Sequence, residues 1–116
     1  MYKTIKLEGH PADVYTSIIS RIRFKITSDT EVFVMQSLVR HSTNMSITMT
    51  KEANSYIANE VGITLNLLST TLHRLEKKQT IRRTGRTILL HPAFNELETI
   101  KGIVFSVNPT ALSSQD

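Results

Sequence analysis

Gly62 is the residue that most constrains how this chain can fold. Ile57, Ala58 and Val61 precede it at i, i+1 and i+4, which places them on one face of a helix. A glycine directly after such a stripe sits where a helix ends on a residue in the left-handed conformation. Ile63 and Thr64 follow, and threonine is a good N-cap for a second helix. That helix, about Thr64 to Lys78, carries Leu68, Leu72 and Leu75 at i, i+4 and i+7. Its other face holds Asn66, Ser69, Thr70, His73, Arg74 and Lys77, polar and basic side chains of the kind that reach base edges and phosphates.

A hairpin comes next. Thr80 to Thr84 and Thr87 to His91 are β-prone and flank Gly85-Arg86, where glycine supplies the positive φ of a tight turn. Ile81, Ile88 and Leu90 are expected to face the core, with Arg82 or Arg83 and Arg86 projecting outward. Six of the fourteen Lys and Arg residues lie between Arg74 and Arg86, against one acid, Glu76.

The pattern of Ala58, Gly62-Ile63-Thr64, Leu68, Leu72, Leu75, Ile81-Arg82-Arg83, Gly85 and Leu89-Leu90 resembles a winged helix-turn-helix. More narrowly, it resembles the RepL-type plasmid replication-initiator family, in which a short wing leads into a segment similar to His91-Pro92-Ala93-Phe94. The resemblance spans residues 12–107. It implies a DNA-binding fold whose recognition helix is the helix from Thr64. The chain departs from the family at Leu65 and Leu67, where exposed positions are usually polar. It departs again at Gln79-Thr80, where a glycine is usual. Exposed leucines could touch thymine methyl groups or form a protein-contact patch.

The rest of the chain extends one domain over 1–116. Hydrophobic content of 40% and charged content of 21% are near globular norms. Residues 1–10 read as an arm, with a short strand at Tyr2 to Leu7. Residues 11–25 read as an extra helix with Val14, Ile18 and Ile22 as its apolar stripe, either packing on the body or dimerising. Ser28-Asp29-Thr30-Glu31 is a capping-box pattern, so Val32 to Arg40 is read as helix. Ser46 to Thr50 alternates as a strand able to pair with the hairpin, and Asn54 is a candidate N-cap for the helix ending at Gly62. Tyr56 is expected to pack at the start of that helix. The body thus spans 29–91. Residues 92–116 read as one polar turn at Asn95 to Thr99, a strand at Gly102 to Val107, and a tail. The fold class expected is mainly α with a small β-hairpin, α+β overall.

Catalytic constellations are not visible. There is no cysteine, and none of His10, His41, His73 and His91 falls in an i, i+4 pair or a metal-ligand cluster of the sequence. No phosphate-binding loop or nucleophile elbow occurs. The expectation is a binder without cofactor, not an enzyme. No apolar run approaches the ~18 residues that span a membrane, and no apolar leader is visible, so a cytosolic location is the default, with a virion equally compatible. The net charge of +4 and pI near 9.6 suit a polyanionic partner.

Two functions therefore stand side by side. One is double-stranded DNA binding, as a plasmid- or phage-type replication initiator or transcriptional regulator, typically as a homodimer. Its contacts would be Thr64, Asn66, Ser69, Thr70, His73, Arg74, Lys77, Arg82, Arg83 and Arg86. The other is a non-catalytic module that docks proteins in a larger assembly such as a viral particle, through Leu65 and Leu67.

Overall fold

The computed structural model describes residues 11–95. Helix α1 (Pro11–Ile18) continues as a π-helical turn (Ile19–Arg23) and is followed by α2 (Asp29–His41). Strand β1 (Ser46–Thr48), α3 (Lys51–Val61) and α4 (Leu65–Lys77) come next. The hairpin β2 (Ile81–Thr84) and β3 (Thr87–Leu90) leads into a 3-10 turn (Pro92–Phe94). The protein is mainly helical, with one small antiparallel sheet of order β1-β3-β2. The arm at 1–10, most of the polar turn at Asn95 to Thr99, and the strand at Gly102 to Val107 lie outside the described residues.

Local chemistry explains where each helix begins. Ser28 caps α2, its Oγ accepting from the Glu31 N–H at 3.2 Å. The Glu31 side chain does not return to Ser28 as a capping box would have it. It is buried and takes a hydrogen bond from Lys78 Nζ at 2.7 Å. Thr64 caps α4 as the sequence suggests, accepting from the Leu67 N–H at 3.1 Å. For α3 the cap is Thr50, not Asn54: Thr50 Oγ1 accepts from Ala53 N–H at 3.0 Å, and Asn54 lies one turn inside, donating to the Thr50 carbonyl at 3.0 Å. The helix starts earlier than its apolar pattern because Lys51 and Glu52 are exposed first-turn residues that leave no periodic mark.

Gly62 ends α3 with φ 85°, and the N–H groups of Gly62 and Ile63 both bond to the Ala58 carbonyl, at 2.8 and 2.9 Å. A side chain there would be strained by its left-handed backbone, although space around the position is open. The reversal lets α4 cross back over α2 and bury Leu68, Leu72 and Leu75, together with Val32, Met35 and Leu38 of α2. Strand β1 pairs antiparallel with β3, as the alternation of Ser46 to Thr50 suggests, so the hairpin extends to a sheet of three strands.

The N-terminal helix packs on α2, but with a face other than its apolar stripe. Ile18 is 46% and Ile22 71% exposed, while Ala12, Thr16 and Ser20 are buried. Small residues at i, i+4 and i+8 bring the backbone of α1 close to α2. Polar ties fix the approach: Gln36 Nε2 donates to the Asp13 carbonyl at 3.0 Å, and Arg40 and Arg21 pair with Asp13 and Asp29 at 2.7 Å each. The π-helical turn, closed by Phe24 N–H to the Ile19 carbonyl at 3.3 Å, also shifts the phase that carries Ile22. Tyr56 is a second correction. It is exposed, mid-helix, and stands edge-on to His41 with centroids 4.9 Å apart.

Candidate nucleic-acid interface

Helix α4 is sharply two-sided. Leu68, Thr71, Leu72 and Leu75 are buried. Asn66, Thr70, His73 and Lys77, at i, i+4, i+7 and i+11, form an exposed polar stripe directly opposite, with Ser69 and Arg74 flanking it. The Asn66 amide and the Ser69 hydroxyl have no hydrogen-bond partner among the described residues. Thr70 donates its hydroxyl proton to the Asn66 carbonyl at 3.1 Å, which leaves its oxygen free to accept. The Thr64 oxygen is committed to the helix cap.

Leu65 and Leu67 are 54% and 39% exposed. Two residues apart on a helix, they point about 200° from each other. They occupy opposite shoulders of the polar stripe and do not form one patch.

The hairpin beside α4 sorts its arginines by strand register. Arg82 faces Leu89, and Arg83 faces Ile88, so the two neighbours project to opposite sides of the sheet. Arg82 shares the outer side with Leu89 and Ser46. Arg83 shares the core-facing side with buried Ile88 and reaches α4, where its Nε meets Glu76 Oε1 at 3.1 Å. Arg86 sits in the turn after Gly85, whose φ of 61° is the positive value a two-residue hairpin needs at its first central position. Among the described residues Arg74, Lys77, Arg82 and Arg86 make no ion pair, whereas Lys78 and Arg83 are tied to Glu31 and Glu76. The sequence signal for the Arg83–Glu76 pair is that Glu76 is the sole acid in the basic segment.

The hairpin is held firmly to α4 at its base. Thr80 donates to the Leu75 carbonyl through both its N–H, at 3.2 Å, and its hydroxyl, at 3.0 Å, and His91 N–H bonds to the Thr80 carbonyl at 3.0 Å. Gln79 makes the turn possible by taking φ 66°, the left-handed value more usual for glycine. His91 Nδ1 accepts from Ala93 N–H at 2.9 Å, so that nitrogen is unprotonated in the fold. Burial, reinforced by the nearby Arg23 charge, lowers the His91 pKa below its ordinary 6.5.

An open groove of about 610 Å³ runs beside β2, walled by Glu76, Gln79, Arg82 and Leu90 among others. His91 lines it as well, and among the described residues no hydrogen bond joins His91 to Glu76. On the far side, Glu60 joins Ser37, His41 and Arg40 at 2.6, 3.0 and 3.4 Å. Burial pushes the Glu60 carboxyl up, but the Ser37 and His41 hydrogen bonds and the Arg40 and His41 charges outweigh it and hold the pKa below 4.5. Among the described residues no three His, Asp or Glu side chains are grouped to hold a metal, and no helix is long and apolar enough to cross a membrane. No family model, curated protein or solved structure matches this chain.

Proposed function

We propose that this chain is a winged helix-turn-helix protein that binds double-stranded DNA, as a plasmid- or phage-type replication initiator or as a transcriptional regulator. The supporting observation is the polar stripe Asn66, Thr70, His73 and Lys77 on α4, lying opposite the buried leucines and beside a hairpin with unpaired Arg82 and Arg86. In this reading α3 and α4 are the helix-turn-helix pair, α4 enters the major groove, and β2-β3 is the wing. Asn66 offers both ends of its amide to adenine, and Ser69 and Thr70 approach neighbouring base edges. Arg74, Lys77 and Arg82 meet phosphates, and Arg86 at the wing tip meets the minor groove. Nothing in the mechanism requires a cofactor or a covalent step.

Titration of random-sequence duplex DNA over a range of salt concentrations tests this reading. Counterion release gives a log–log slope of about −0.9 per phosphate contact, so three or four contacts give roughly −2.7 to −3.6 per subunit. Absence of measurable binding at about 50 mM salt, where non-specific contacts are strong, would sink it. The protein-docking reading would then take its place. Its support is the exposure of Leu65 and Leu67, and changing both to Ser should then reduce association with other copies or partners while the fold persists.

A further inference from the structure

Arg82 and Arg83 are neighbours in sequence and have opposite surroundings. Arg83 lies across from Ile88 on the core-facing side of the hairpin and pairs with Glu76, seven residues earlier, in the last turn of α4. A carboxylate in that turn is unfavourable for the helix itself, whose C-terminal end favours cations. Glu76 is also the only acid between Thr64 and Leu90. Its position is therefore explained by what it touches, not by the helix. The base of the hairpin is already fastened through Thr80 and Leu75. The Glu76–Arg83 pair adds a second contact between hairpin and helix at mid-strand.

We propose that Glu76 is a positioning residue of the DNA interface. It holds Arg83 against α4 and withholds it from the phosphates, so that Arg82 alone of the two contacts DNA. This rests on the DNA reading above. The pair also matters electrostatically: joined, it presents no net charge, whereas a free Glu76 would repel the duplex.

The test is the salt dependence of binding to random-sequence duplex DNA, measured with the full chain and its variants. Arg82→Ala should make the slope shallower by about 0.9. Arg83→Ala should weaken binding most at low salt and make the slope shallower by less than Arg82→Ala does, because it bares Glu76, whose repulsion salt screens, without removing a phosphate contact. Glu76→Gln should steepen the slope by about 0.9 as Arg83 is released to a phosphate, and the double variant Glu76→Gln with Arg83→Ala should return it to the wild-type value. Arg83→Lys, which can keep the ion pair, should bind like the wild type. Thermal melts establish that each variant is folded. A slope that falls equally for Arg82→Ala and Arg83→Ala, or one unmoved by Glu76→Gln, overturns the role of Glu76 while leaving DNA binding intact. No binding by the wild type removes the DNA reading, and this inference with it.

Discussion

Lys78 and Glu31 are 47 residues apart in sequence and 2.7 Å apart in space. The C-cap of α4 is thereby tied to the first turn of α2, and a carboxylate only 4% exposed receives its partner. Removing the ammonium strands that carboxylate. Lys78→Met should destabilise the fold by about 1–3 kcal/mol, the cost of leaving a buried polar group unsatisfied. Adding Glu31→Leu should recover much of the loss, since the stranded charge goes with it. Urea unfolding of the two variants measures both, and a double variant weaker than the single would contradict the account.

Leu72 lies opposite the polar stripe and is buried in the core shared with α2. Leu72→Ala should cost roughly 2–5 kcal/mol through lost contacts and a residual cavity. A loss within about 0.5 kcal/mol, typical of surface changes, would contradict the burial of this face.

Gln79 holds a left-handed backbone that costs a residue with a side chain about 1–2 kcal/mol, against the extra chain entropy that glycine loses on folding. Its side chain is exposed, so little packing is forfeited. Gln79→Gly should therefore stabilise the protein by up to about 1 kcal/mol. A lower urea midpoint in the variant would show that the Gln79 side chain holds the turn in another way.

His91 makes stability depend on pH. Its folded pKa is below the ordinary 6.5, so the fold favours the neutral ring. That stabilisation is complete above 6.5 and is lost as pH falls through the lower folded value. His91→Asn retains a side-chain acceptor for Ala93 N–H but does not titrate, and should flatten the decline in thermal midpoint across this window. Glu60 acts separately, since its depressed pKa confines its loss to acid conditions below 4.5. An equally steep decline in the Asn variant above that region would assign the effect to another group.

Much of this architecture was legible because it is local. Gly62, Thr64 and Ser28 set helix ends through bonds to residues within a few positions, and the spacing of Leu68, Leu72 and Leu75 names its own buried face. The N-terminal helix and its packing on the body are legible, but its buried face is not, because that face is made of Ala12, Thr16 and Ser20, small residues that allow close helix contact and register weakly as hydrophobic. Arg82 and Arg83 could not be told apart, because a strand's sidedness depends on register, and register is fixed by Leu89 and Ile88 on the partner. The leucines at 65 and 67 suggested one patch from their closeness in sequence, and helical geometry separates them.

The sheet order has a consequence for how the chain is made. Its central strand, Thr87–Leu90, is the last of the three to be synthesised, and among the described strands the other two pair with it and not with each other. A nascent chain that has emerged only as far as Gly85 has the four described α-helices and two of the described strands, with no ladder between those strands. Assembly of the sheet must therefore wait until the helices have had time to collapse, and β1 must then close a loop containing α3, α4 and β2. Folding can begin from the short-range contacts of α2, α3 and α4, whereas the hairpin face acquires its final shape only at the end.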